Sequence, residues 1–322
     1  MHELFGVSLT TIAVAMVVLF VLTGAVVVSL ALRYRIIFKL GVRNIPRHPT
    51  QTVLIVVGLM LSTIIITAAF GTGDTVVYTI RSMAAESLGN TDEVVTVPSR
   101  KADPDSGYFD YARFDEITSA LSSSPVDGVL PVIYEDVPLF NPYQLLSAPS
   151  VRLFAPGPQY AGYTHLTTID GRRVSLEDLG PSDVYIDQDT ADELLAEAGA
   201  QLVLFVGSEP KYVRLAGVVE GASCGSLNYI LLPLGRAQDF FGRTGQINGV
   251  YISNSGSALD GAGSSDEIAR QLEPVLLDTD LEVNAVKKET LHDAEMSGAV
   301  LTGIFLLFGL FCVAAGILLV FL

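Results

Sequence analysis

Long apolar runs alternate with polar and mixed segments along this chain. Three runs contain no Asp, Glu, Lys or Arg, and they cover residues 4–32, 50–73 and 296–322. An α-helix rises about 1.5 Å per residue, so about 20 residues cross a hydrocarbon core about 30 Å thick. Buried core helices are usually shorter and interrupted by polar residues. The pattern therefore predicts three transmembrane helices.

The first apolar run could instead be a cleaved signal peptide. A signal peptide carries its positive charges before the apolar core, whereas here only Met-His-Glu precedes the run and the cations follow it. The run is also longer than the core of a signal peptide. We therefore expect residues 1–32 to form a retained N-terminal transmembrane helix.

Between the second and third runs the pattern is mixed. The segments DEVVTVP, GVLPVIYEDVPLF, SVRLFAP and NYILLPL are typical of strands, and YFDYARFDEITSALSSS and DEIARQLEPVLL are typical of helices. QLVLFVG and YVRLAGVVE predict a hairpin, and the Asp-Gly turn within residues 168–187 predicts another hairpin or a strand edge. Together these elements predict one α+β domain over residues 74–295.

Helix signals mark three places in this domain. Thr190 and Glu193 match a capping box, so we expect a helix that begins there and ends at Gly199. The helical segments DTVVYTIRSMAAESLG and ETLHDAEM adjoin the second and third apolar runs. We expect both to be stalk helices that carry the domain, and the first to end near Gly89.

The charges are unevenly distributed in a chain of net charge −16. Residues 33–50 hold five of its 19 Lys and Arg residues, namely Arg33, Arg35, Lys39, Arg43 and Arg47. Short loops rich in Lys and Arg stay in the cytoplasm. The N-terminus and residues 74–295 should then lie outside. The predicted fold class is an α-helical transmembrane protein of the cell membrane, with spans in 1–32, 51–73 and 296–322 and a mixed α+β extracytoplasmic domain.

The basic segment also has a helical pattern. Arg35, Lys39 and Arg43 recur at intervals of four residues, which places them on one face of a helix. Such a helix suits the membrane interface, with its cations among anionic headgroups. Pro46 and Pro49 should end it before the second span. The alternative is a loop that only sets the topology.

One motif raises the possibility of catalysis. Residues 221–225 match G-x-S-x-G with Ser223 at the centre, but a strand and not a helix is predicted after it. The only downstream histidine is His292, on the predicted second stalk. A β-turn of small residues explains the motif as well, so a membrane-anchored hydrolase stays a minor alternative.

No metal or cofactor site is predicted. Acidic pairs such as Asp103 and Asp105 do not complete a calcium-loop pattern, and the four histidines have no zinc-ligand spacing. Cys224 and Cys312 allow at most one disulfide and do not reveal a compartment. The acidic domain also disfavours nucleic acid as a partner.

The lysines exclude one kind of nucleotide site. A Walker A loop needs a lysine after a glycine, and none of the five lysines of this chain follows one. If ATP drives this protein, another polypeptide binds it.

Small residues within the apolar runs could allow helices to pack closely. Gly58 with Ser62, and Cys312 with Gly316, lie four residues apart on the predicted spans. This spacing is common by chance, and the signal is weak.

Two segments of the sequence resemble a known family. FKLGVRNIPRHPTQTVLIVVGLMLSTIIITAAFGTGD is similar to the opening of FtsX/MacB-type ABC transporter permeases, in which a basic segment leads into the first core span. ETLHDAEMSGAVLTGIFLLFGLFCVAAGILLVFL is similar to the return into the second core span. Between them, VYIDQDTADELLAEAGAQLVLFVG and the segment that follows it resemble the family's extracytoplasmic domain. The resemblance covers residues 38–322.

The resemblance implies a non-catalytic permease subunit that works with a separate ATPase and usually dimerises. It also implies that motion driven by ATP passes through the spans to the outside domain, for export or release of a lipoprotein, a peptide or another amphipathic substrate. The alternative within the family is a regulatory scaffold that activates an extracytoplasmic cell-wall hydrolase. The extra N-terminal span departs from the pattern. Two further family spans would follow residue 322, so we expect either a fragment of a longer permease or a partner that supplies them.

Overall fold

The computed structural model describes residues 3–4, 7–44, 49–98, 107–256 and 261–321. The chain forms two compact units, one comprising Met1–Ile80 with His292–Leu322 and the other comprising Arg81–Leu291. We call the first the helical unit and the second the domain.

The helices and strands follow in chain order. The helices are α1 (Leu9–Arg33), α2 (Arg35–Asn44), α3 (Pro49–Leu88), α4 (Ala112–Ala120), α5 (Tyr160–Tyr163), α6 (Gln188–Leu194), α7 (Leu234–Phe241), α8 (Ser265–Leu276) and α9 (Val286–Phe321). The strands are β1 (Glu3–Leu4), β2 (Val7–Ser8), β3 (Glu93–Thr96), β4 (Phe109–Asp110), β5 (Val126–Asn141), β6 (Leu146–Pro156), β7 (Leu166–Thr168), β8 (Arg173–Val174), β9 (Asp183–Ile186), β10 (Gln201–Val206), β11 (Glu209–Glu220), β12 (Tyr229–Leu231), β13 (Gln246–Ile247), β14 (Gly249–Asn254) and β15 (Glu282–Asn284).

The helical unit contains the apolar runs. Among the described residues, two helices are long and apolar enough to cross a membrane, over Thr52–Leu88 and Val286–Cys312. The helix α1 is also apolar and has 25 residues, and its membrane crossing stays a prediction. Both α3 and α9 continue without a break beyond their apolar runs, as the predicted stalk segments require. Their role as stalks outside the membrane is likewise a prediction.

Within the helical unit, α3 and α9 approach closely at two glycines. A Cβ added to Gly73 would lie 3.3 Å from the carbonyl oxygen of Gly298 and would collide with Thr302. A Cβ added to Gly298 would lie 3.2 Å from the carbonyl oxygen of Gly73. Small residues allow helix backbones to pack at this range. The two helices therefore pair through Gly73 and Gly298.

The domain is built on one 11-stranded sheet. Its strand order is β15-β3-β14-β5-β6-β12-β9-β11-β7-β8, with β10 paired to both β11 and β5. Adjacent residues in a strand face opposite sides of the sheet, and the two sides bury different clusters. Leu153, Val184 and Ile230 belong to the cluster covered by α4, α6, α7 and α8. Their neighbours in the chain belong to an aromatic cluster that includes Phe154, Tyr160, Tyr185 and Tyr251.

The predicted α+β pattern is confirmed, including both hairpins. Strands β10 and β11 pair from Gln201↔Arg214 to Val206↔Glu209. Strands β7 and β8 pair around a turn in which Gly171 has φ +75°. This left-handed backbone is open to glycine and costly for residues with a Cβ.

The predicted ends of the helix α6 were wrong. Its N-cap is Asp187, whose Oδ2 accepts a hydrogen bond from the backbone N–H of Thr190 at 3.0 Å. Asp187 also accepts from the backbone N–H of Tyr229 at 2.7 Å, so strand β12 holds the cap in place. At the other end, Leu195 adopts a left-handed backbone with φ +46° and terminates the helix before Gly199.

Candidate functional site

The end of α3 and the start of α9 meet in the domain at a buried ion pair. The ammonium Nζ of Lys287 lies 2.9 Å from Oδ1 of Asp92, and the two side chains are 0% and 2% exposed. The same Nζ donates a hydrogen bond to the carbonyl oxygen of Gly89 at 2.9 Å. Gly89 directly follows α3, and Lys287 is the second residue of α9. One ammonium group therefore links the chain leaving α3 to the chain entering α9.

A buried asparagine extends this contact into the sheet. The backbone N–H of Asn254 donates to Oδ2 of Asp92 at 2.8 Å, and its side-chain amide donates to Oε1 of Glu93 at 2.8 Å. Asn254 ends β14, and Glu93 begins β3, which pairs with β14. We call Asp92, Glu93, Asn254 and Lys287 the junction cluster. Through Asp92, Lys287 of α9 is linked to Asn254 at the end of β14.

Burial changes the acidity of the cluster. Loss of water raises the pKa of Glu93 to about 7, and the nearby charge of Asp92 acts in the same direction. Hydrogen bonds from the side chains of Ser265 and Asn254, and the charge of Lys287, oppose this rise. Near neutral pH this carboxyl is therefore divided between its protonated and ionised forms.

The turn after α3 is fixed by steric fit. Gly89 has φ +49°, and a Cβ there would collide with the hydroxyl of Ser223. The next residues bond to the same neighbourhood, because Oγ1 of Thr91 donates to the carbonyl oxygen of Ser223 at 3.0 Å. The phenol of Tyr163 donates to Oγ1 of Thr91 at 2.9 Å. The predicted end of this helix near Gly89 is confirmed, and glycine is required there.

Ser223 does not occupy a nucleophile elbow. Its side chain is buried, and the hydroxyl contacts the backbone N–H of Asn90 at 3.4 Å and Oγ1 of Thr164 at 3.3 Å. Neither partner is a base that could take its proton. The strand β12, and not a helix, follows the motif. The motif serves to hold the turn after α3.

A polar cavity of about 210 Å³ adjoins the junction cluster. Its lining includes Asn90, Asp127 and Tyr163 together with Asp92, Asn254 and Lys287. Within the described part of the chain, no three His, Cys, Asp or Glu side chains are placed to hold a metal ion. Asp103 and Asp105, whose spacing does not complete a calcium-loop pattern, lie outside the described residues.

Four of the five basic residues of the segment 33–50 lie on α1 and α2. Arg33 is the last residue of α1, and Arg35, Lys39 and Arg43 lie on α2. All four side chains are exposed in the chain. Arg47 lies outside the described residues. A short helix with three cations at intervals of four is therefore present, and its place at the membrane interface stays a prediction.

The predicted small-residue pairs do not include Gly73 or Gly298, at which α3 and α9 approach each other. Gly58 has open space around it, and the hydroxyl of Ser62 donates to the Gly58 carbonyl oxygen at 2.9 Å. Cys312 is half-buried on α9 and is not in a disulfide. Gly316 lies on the same helix, and its surroundings are outside the described part. Packing through these four residues stays a prediction.

The sequence belongs to a known family. The profile of the MacB-like periplasmic core domain matches residues 52–275, which is more than half of the chain. This chain therefore belongs to the MacB-like periplasmic core domain family, a family of ABC transporter permease components. With its two membrane-length apolar helices, it is a membrane protein with an extracytoplasmic domain.

Solved structures include two similar domains. One is the extracellular domain of the noncanonic ABC-type transporter YknZ from Gram-positive bacteria, at 19% identity and a TM-score of 0.41, covering 61% of this chain and 100% of that one. The other is the periplasmic region of MacB from Actinobacillus actinomycetemcomitans, at 14% identity and a TM-score of 0.42, covering 63% and 94%. No curated protein sequence matches this chain.

Proposed function

We propose that this chain is a non-catalytic permease subunit that transmits motion from its membrane helices to its extracytoplasmic domain. A separate ATPase supplies the motion, and the outcome is export or release of a lipoprotein, a peptide or another amphipathic substrate. Membership of the permease family supports the class of protein. The observation that carries the mechanism is the contact of Lys287 with Asp92 and with the carbonyl oxygen of Gly89.

Separating the charged groups of the junction cluster costs free energy. Removing one partner of a buried ion pair leaves a charge without compensation and costs about 3–5 kcal/mol. When α9 is displaced at Lys287, Asp92 and Gly89 should move with it, because breaking the ion pair costs more free energy than moving these neighbours. Asn254 carries the displacement on to β14. The sheet, with its close-packed core, then moves as a body.

The topology completes the proposal. Residues 33–50 lie in the cytoplasm, with Arg33, Arg35, Lys39, Arg43 and Arg47 at the inner interface, and α1 crosses the membrane as an additional span. The N-terminus and residues 74–295 then lie outside. Two permease chains pair in the membrane, and the ATPase is bound from the cytoplasm.

The test is purification of the full chain from its membrane in mild detergent, with mass spectrometry of the proteins that accompany it. A stoichiometric ABC ATPase, stimulated by a candidate substrate, is the expected result. A secreted cell-wall hydrolase that accompanies the complex would favour the regulatory scaffold instead. An intact complex without an ATPase would contradict the proposal.

A further inference from the structure

Two exposed leucines of the domain have a backbone conformation that leucine rarely adopts. Leu145, in the turn between β5 and β6, has φ +56° and is 77% exposed. Leu195, after α6, has φ +46° and is 62% exposed. Glycine or asparagine would suit both positions better. Strained residues of this kind concentrate at functional sites.

A buried asparagine links the β5–β6 turn, which contains Leu145, to the residue that precedes Leu195. Asn141, at the end of β5, donates a hydrogen bond from Nδ2 to the carbonyl oxygen of Leu194 at 2.9 Å. Its Oδ1 accepts from the backbone N–H groups of Tyr143 and Gln144 at 3.1 and 3.4 Å. One side chain thus holds the β5–β6 turn against the end of α6. Tyr143 is 74% exposed, and we call Tyr143, Leu145 and Leu195 the leucine patch.

The residues next to Leu195 are acidic and form an acidic rim on that side of the leucine patch. Asp192, Glu193 and Glu197 flank Leu195 and are exposed. Neither residues 174–210 nor residues 137–151 contain a Lys or Arg. Exposed apolar side chains with an acidic rim on the side of Leu195 are complementary to a partner that offers apolar anchors among basic residues.

We propose that the leucine patch binds a basic amphipathic segment of an extracytoplasmic protein. A second copy of this chain fits less well, because a two-fold contact would place the acidic rim against itself. This inference shares one assumption with the proposed function, namely that the domain acts on another molecule outside the membrane. It adds where that molecule binds and which charge it carries.

Two tyrosines of equal exposure provide a matched test. Tyr212 is 73% exposed, and its neighbour Val213 faces the cluster covered by α6, so Tyr212 points to the other side of the sheet. Each tyrosine is replaced in turn by the photoreactive p-benzoylphenylalanine in the full chain, held in phosphatidylcholine nanodiscs. The probe is a labelled peptide of repeated LKKL, and the control is a peptide of repeated LEEL.

We expect cross-linking of the LKKL peptide at position 143 to exceed that at position 212 by about tenfold, and the LEEL peptide to react weakly at both. Equal yields at the two positions, or equal yields with the two peptides, would overturn the proposal. Recovery of the ATPase in the purification above is independent of this outcome, so the two proposals fail separately.

The strained backbone allows binding to be separated from folding. Leu145→Gly suits the left-handed conformation, so the domain should stay folded while the anchor is lost. Affinity for the LKKL peptide, measured by anisotropy with empty nanodiscs as the blank, should fall about tenfold. The control is Leu277→Ser, which removes a leucine of similar exposure with an ordinary φ of −53°. An unchanged affinity in Leu145→Gly, or an equal loss in Leu277→Ser, would contradict the proposal.

Discussion

The junction cluster and the leucine patch differ in burial and in polarity, although both belong to one domain. The junction cluster buries charges in direct contact, and we expect a displacement of one partner to move the others. The leucine patch exposes apolar side chains on strained turns held by Asn141. A buried, connected cluster suits transmission of force, whereas an exposed apolar surface suits recognition. The difference is consistent with the separate roles that we propose for the two regions.

The largest expected effect comes from removing the buried cation. Lys287→Met leaves the Asp92 carboxylate buried without its partner and should lower the free energy of unfolding by about 3–5 kcal/mol. The measurement is urea unfolding of the full chain in detergent, followed by tyrosine fluorescence. Lys288→Met is the control, because Lys288 pairs with Asp266 in an exposed contact that water and salt screen, so its loss should change stability little.

If both lysine variants lose the same stability, the buried contact has no special role. The double variant Asp92→Asn with Lys287→Met removes both charges and should regain part of the loss.

The next effect is a pH dependence that arises from Glu93. Its pKa is raised to about 7 in the folded domain, so the folded state holds a proton that the unfolded state releases at lower pH. Stability should therefore fall as pH rises from about 4.5 to about 7, by about 3 kcal/mol in total, and this contribution should level off above pH 7. Urea unfolding at several pH values in this range gives the change in unfolding free energy per pH unit. In Glu93→Gln the part of this change that arises from Glu93 should be absent. A Glu93→Gln variant with an unchanged slope would show that the carboxyl titrates normally.

A smaller effect is expected at the turn after α3. Gly89→Ala introduces a Cβ at φ +49° that collides with Ser223, and it should cost about 1–3 kcal/mol. Gly199→Ala provides the comparison, because Gly199 has φ +94° with open space around its Cα. The Gly199→Ala variant should lose only about 1 kcal/mol of unfolding free energy, because a Cβ is unfavourable in this backbone conformation. Equal losses would mean that the collision with Ser223 is relieved without cost.

The smallest effect on stability should occur at the leucine patch. Leu145→Gly relieves a strained backbone but also loosens the unfolded chain, so the two effects nearly cancel. The free energy of unfolding should change by less than about 1 kcal/mol. A loss of 3 kcal/mol or more would show that Leu145 serves the fold and would remove the contrast with the junction cluster.

The sequence predicted those elements whose formation depends on residues close together in the chain. Runs without charge marked α3 and α9, and alternation marked most strands of the sheet, because both patterns follow from the repeat of a single element. The end of α3 near Gly89 was predictable for the same reason. The capping residue of α6 was not, because Asp187 is held by β12, a strand more than 40 residues away.

The candidate site was not predictable from the sequence. Asp92 and Lys287 are charged residues at the ends of elements, where side chains are normally in water. Their burial arises only when β3 pairs with β14 and α9 begins beside them. A lone Lys-Lys pair gives no signal as to which lysine is buried. The strain at Leu145 and Leu195 was also hidden, because nothing in the local sequence predicts a left-handed leucine.

The central claim is that the junction cluster transmits motion from the helices to the domain. The most direct test is hydrogen exchange of the purified complex with its ATPase, with and without a non-hydrolysable ATP analogue. The account predicts that the analogue changes exchange in β3 and β14 in the natural chain and in Lys288→Met. It predicts no such change in the double variant Asp92→Asn with Lys287→Met. The same change in all three proteins, or none in the natural chain, would contradict the account.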